Sequence, residues 1–98
     1  MSSVRKRKYE PLEGDLALFL VSYDLDKPEK DYPKLIDALK AVGAQRVLYS
    51  EWMFNADNTA VQVRDHFKAF IDGDDHLLVV VVSDWASRHT MVDISKIA

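Results

Sequence analysis

The stretch QRVLYSEWMFN, residues Gln45–Asn55, decides the fold. It is rich in β-branched and aromatic residues, as strands are. It also alternates, with Val47, Tyr49 and Met53 on one side and Leu48, Trp52 and Phe54 on the other. Its length suits one long strand. It equally suits two short strands joined by a tight bend near Ser50 and Glu51.

Upstream, Leu35, Ile36, Leu39 and Val42 form one apolar stripe, which predicts a helix over Tyr32–Val42. Pro33 fits its first turn, where a missing N–H costs nothing. Gly43 sits where a helix C-terminal glycine is expected. Before that helix lies a polar loop, Asp24–Pro33, punctuated by Pro28 and Pro33. The loop follows Leu16–Tyr23, LALFLVSY, an apolar run of strand length.

Downstream, Thr59 and Gln62 have capping-box spacing, and Val63, Phe67, Phe70 and Ile71 make the buried stripe of a second helix that Gly73 stops. His76–Ser83, HLLVVVVS, is another apolar strand. From Asp84 onward the chain is mixed. Met91, Val92, Ile94 and Ile97 suit a short edge strand or a docking tail.

If the central stretch is a hairpin, the order is that of an α+β, ferredoxin-like βαββαβ domain, an antiparallel sheet with two helices on one face. Right-handed crossovers then set the first and last apolar strands side by side at the centre. The helix-free face is expected to be wet or to pair with another copy. A fragment of a doubly wound sheet fits less well, because it needs more βα units than 98 residues hold.

The composition, 48% hydrophobic and 30% charged, is that of a folded domain. With no cysteine, disulfide frameworks, thiol catalysis and thiolate metal sites are excluded. No apolar run reaches the ~18 residues of a membrane span, and a cytoplasmic location is expected. The net charge is −3, but four of the 13 basic residues occupy positions 5–8. The remainder is strongly acidic, unlike a dedicated duplex binder with its basic face. Residues 1–14 are thus expected to be a flexible basic arm, and residues 15–98 a single domain.

The segments FLVSYDLDKP (Phe19–Pro28), RVLYSEW (Arg46–Trp52) and DDHLLVVVVSDW (Asp74–Trp85), with the helix ending at Val42-Gly43 between the first two, resemble the CRISPR-associated second protein family of spacer acquisition. The resemblance covers about residues 16–85. The matching features are a first strand ending in Tyr23-Asp24 and a strand end carrying Ser50. The run from Ser50 keeps the family's aromatic but not its flanking glutamate, the pattern of a divergent phage- or plasmid-type relative. The resemblance implies a ferredoxin-like homodimer that acts as a metal-dependent endonuclease on RNA or DNA. Asp24 would be its catalytic Mg²⁺ ligand and Ser50 a catalytic phosphate contact. Tyr23, Lys27, Lys30 and Arg46 would meet nucleic acid, and an integrase-type protein would be a further partner. Other members of the family are non-catalytic bridges, so a dimeric scaffold that binds nucleic acid or a protein partner is the alternative.

Asp24 can also be weighed on its own chemistry. Two such carboxylates meeting across a twofold axis would recruit a cation, and Mg²⁺ suits oxygen ligands while keeping several waters. The simpler expectation is that Asp24 starts an Asx turn, or caps the next element, in a segment of turn composition. The remaining candidates are weaker. His66, His76 and His89 lack zinc-site spacing. Asp72-Gly73-Asp74-Asp75 reads as an acidic turn rather than a calcium loop. Trp52 and Trp85 are expected to anchor a core or an interface more readily than to stack on bases.

Overall fold

A computed structural model describes residues 16–26 and 32–97. The expected basic arm, and Lys27 and Lys30, lie outside the described residues. The elements are β1 (Ala17–Asp24), α1 (Pro33–Ala41), β2 (Gln45–Leu48), β3 (Glu51–Ala56), α2 (Ala60–Lys68) and β4 (His76–Val82), followed by a short 3₁₀ turn at Ile94–Lys96. Gln45–Asn55 is therefore a hairpin, bent at Tyr49 and Ser50. The four strands form one antiparallel sheet in the order β2-β3-β1-β4. This is an α+β architecture compatible with the ferredoxin-like βαββαβ fold.

β1 and β4 are neighbours, as the crossover rule requires, but the sheet centre is β1 with β3, and β4 is an edge. Its valine-rich sequence reflects packing on the helix side rather than strands on both flanks: Leu77 and Val79 pack on the helix-side core, while Leu78 and Val81 stay exposed.

The pleat divides the sheet residues between two faces. Phe19, Val21 and Tyr23 of β1 join Trp52 and Phe54 of β3 against Leu35 and Leu39 of α1 and Val63 and Phe67 of α2. Within this layer Phe19 stacks on Phe54 at 5.6 Å, and Phe54 meets Phe67 edge-on at 6.0 Å. Fully burying side chains of this size contributes roughly 1.5–3 kcal/mol each.

The helix ends follow their local chemistry. At the start of α2, Gln62 N–H donates to the Thr59 hydroxyl at 3.2 Å, and Thr59 N–H donates to Gln62 Oε1 at 3.0 Å, closing the capping box. α1 ends in a Schellman motif. Gly43 adopts φ 81°, a left-handed conformation natural to glycine, while Ala44 N–H donates to Leu39 and Gly43 N–H to Lys40. α2 stops at Lys68, earlier than its apolar stripe suggests, so Phe70 and Ile71 reach the core from the turn that follows.

The opposite face of the sheet is covered in part by the chain itself. The C-terminal segment is a docking tail rather than a strand. Its Ile94 is buried against Leu18, Val47 and Met53, with Val92 and Ile97 beside it. Met91 N–H donates to Val47 C=O at 2.9 Å, and the Asn55 side chain donates to Ile97 C=O. Val47 joins this second core beside Met53, on the side where alternation puts both, and a break in register follows between Arg46 and Leu48. The break carries Leu48 opposite Glu51, away from the Trp52 side on which simple alternation puts it. Among the described residues, no helix is long and apolar enough to cross a membrane.

Candidate functional site

The C-terminal end of β1, the β2–β3 turn and the start of β4 meet at one end of the sheet. Tyr23 N–H donates to Ser50 C=O at 3.1 Å, and Asp24 lies opposite His76. The fold therefore brings Asp24 and Ser50 to the same end of the sheet from positions far apart in sequence.

Asp24 is the last residue of a paired strand, so its backbone is held while its side chain is exposed. Its carboxylate makes no hydrogen bond or ion pair with any described residue. An Asx turn would need the Asp26 N–H. That group instead donates to Asp75 Oδ1 at 2.7 Å. Asp75 also accepts from the Tyr32 hydroxyl at 3.2 Å and, through Oδ2, from Asp72 N–H at 2.7 Å. The acidic run is thus a turn, as its composition suggests, and Asp75 also ties the start of β4 to both ends of the loop after β1. The turn-forming role expected of Asp24 belongs to Asp75, and nothing in local sequence links Asp75 to Asp26.

Tyr23 points to the helix side and is buried. Its hydroxyl accepts from the indole Nε1 of Trp52 at 3.0 Å. Trp52, 3% exposed, carries the Arg46 guanidinium over its ring, 4.7 Å from the centroid. The same guanidinium lies 5.6 Å from the centroid of Tyr49. Tyr23, Trp52, Arg46 and Tyr49 form one continuous chain of contacts running from β1 to the hairpin turn. Of the residues expected to meet nucleic acid, Arg46 is half-buried at the surface end of these contacts, and Tyr23 supports it from within the core.

On the opposite face, Ser22 Oγ donates to Glu51 Oε2 at 3.0 Å, one pleat along from Asp24. Beside it a groove of about 430 Å³ opens between the sheet and the tail, with Leu20, Leu48, Val80 and Trp85 among its lining residues. Among the described residues, no three His, Cys, Asp or Glu side chains are grouped to hold a metal ion within one chain. A cation at Asp24 would therefore rest on one carboxylate per chain. That set fits a hydrated divalent ion and not a dehydrated cage.

Sequence reasoning missed Tyr49 and Asp75. Tyr49 was masked by alternation, which assigned it to a strand face rather than a turn. The only hint of Asp75 was its place just before a strand. No protein-family model matches the chain.

Proposed function

We propose that the protein is a homodimeric, metal-dependent endonuclease of ferredoxin-like fold acting on RNA or DNA, a divergent relative of the CRISPR-associated second protein family. The observation that carries this reading is the Asp24 carboxylate, exposed on a rigid strand end and left without a partner among the described residues. Two copies brought together at this sheet end would supply two carboxylates to one hydrated Mg²⁺. When bound, the cation polarises a phosphoryl oxygen and acidifies a water. Asp24 would position it, and the Ser50 hydroxyl would orient the phosphate.

The half-exposed face of β4 supports a second reading, a non-catalytic dimer that binds a protein partner. Leu78 is 58% exposed there, and Val80 and Trp85 line the adjoining groove. Metal-dependent cleavage separates the two. Purified wild type and Asp24→Asn are incubated with RNA and DNA oligonucleotides across a Mg²⁺ titration, with oligomeric state followed by sedimentation. Loss of Mg²⁺-stimulated cleavage in a variant that remains dimeric supports the nuclease. Equal cleavage by both proteins would sink it, and absence of cleavage in wild type leaves the scaffold.

A further inference from the structure

We propose that Tyr49 and Arg46 form a binding site for single-stranded nucleic acid, with a base stacked on the Tyr49 ring and a phosphate held by the Arg46 guanidinium. The inference deepens the nucleic-acid reading above and rests on it, but it does not require catalysis.

Tyr49 occupies a two-residue turn between paired strands and is 76% exposed. A tyrosine this exposed at a hairpin tip contributes nothing to the core. One of its faces lies over Arg46, and so much exposed area leaves the other face open to solvent. Arg46 is itself held from below by Trp52, whose indole is anchored to the Tyr23 hydroxyl. The guanidinium is therefore fixed between two rings before any ligand arrives, so less side-chain freedom is lost on binding.

Among the described residues, Arg46 has no ion-pair partner. Its Nε is buried with no hydrogen-bond partner among them. In a chain with 16 acidic residues, a half-buried guanidinium with no ion pair among the described residues has its charge available for an anion. Arginine matches phosphate geometry and stacks on aromatic faces, two properties that this position combines.

An exposed aromatic backed by a cation suits a base with its phosphate. Stacking needs an unpaired base, which a single strand presents and a duplex does not. The acidic remainder of the chain also disfavours the wide phosphate contact on which duplex binding depends. The site lies beside Ser50, whose C=O is bonded to Tyr23 N–H, so a strand stacked on Tyr49 runs past the sheet end that carries Asp24.

The test is fluorescence anisotropy with the full chain. The probes are a labelled oligothymidylate, an oligouridylate and an abasic deoxyribose-phosphate oligomer of equal length. Wild type should bind the base-bearing strands more tightly than the abasic one. Tyr49→Ala should weaken binding of those strands by about 5- to 100-fold and erase the preference, while Tyr49→Phe keeps it. Arg46→Gln should weaken all three probes and reduce the steepness of the salt dependence by about 0.7. Because Tyr49 is exposed, its alanine variant should fold normally, so the result does not depend on how Arg46→Gln folds.

The proposal is overturned if wild type binds no oligonucleotide or binds the abasic strand equally well. It also fails if Tyr49→Ala matches wild type, or if a phosphopeptide competes better than the oligonucleotides. Tyr49-dependent binding without cleavage removes the nuclease reading and leaves this one standing. Cleavage whose KM is indifferent to Tyr49→Ala does the reverse.

Discussion

Asp75 Oδ1 accepts the Asp26 backbone N–H at 2.7 Å, the bond that a turn started by Asp24 would have used. One carboxylate from the start of β4 thus binds Asp26 and Tyr32, while the Asp24 carboxylate stays exposed. Asp75→Ala should therefore unfasten the loop after β1 without unfolding the domain. Hydrogen exchange at the Asp26 and Asp72 amides should accelerate, with a stability loss of about 1.5–3 kcal/mol for bonds to a charged acceptor. Unchanged protection at both amides would show that the carboxylate is dispensable.

Trp52 Nε1 has its acceptor in the Tyr23 hydroxyl, inside the core. Tyr23→Phe keeps the ring volume but orphans the indole N–H. The expected cost is about 1–3 kcal/mol in urea denaturation, with the fold retained. A midpoint equal to that of wild type would mean that the indole has found another acceptor.

The tail is part of the domain's own packing. Ile94 is 5% exposed and closes the second core over Leu18, Val47 and Met53. Ile94→Ala should cost about 2–4 kcal/mol, and removal of residues 84–98 should increase binding of a hydrophobic dye. If the truncated chain melts at the wild-type temperature, the tail is not structural.

The capping box at Thr59 satisfies amides at the start of α2 that have no partner within the helix. Thr59→Ala should lower stability by about 1 kcal/mol, read from the urea midpoint at constant m-value. A stabilised or neutral variant would show that solvent serves those amides equally well.

Leu78 is a large apolar side chain exposed on edge strand β4. Leu78→Glu should leave monomer stability within about 0.5 kcal/mol of wild type, as surface changes do. If a second copy covers this face, the same change should shift sedimentation toward monomer. A dimer unaffected by it is built on another surface.

Much of the architecture was legible in local sequence because local physics governs it. Pro33 and Gly43 punctuate α1, Thr59 and Gln62 open α2, and the two long apolar runs are strands. The hairpin at Tyr49-Ser50 was legible only as one of two choices. Alternation reads the same through a straight strand and a bend, and a break in register moves Leu48 to the other face. The early end of α2 was hidden as well, since Phe70 and Ile71 continue the apolar spacing from a turn.

The candidate site divides along the same line. Local sequence is enough to show that Asp24 ends an apolar strand and that Ser50 lies in a stretch able to bend, because both follow from neighbours in the chain. Tertiary structure alone decided that Tyr23 bonds to Ser50 and Trp52, that Arg46 is stacked between two rings, and that Asp75 takes the Asp26 amide. Those relationships join groups 27 to 49 residues apart, or depend on where a turn falls between paired strands. No local pattern encodes such partners; sheet order and register bring them together.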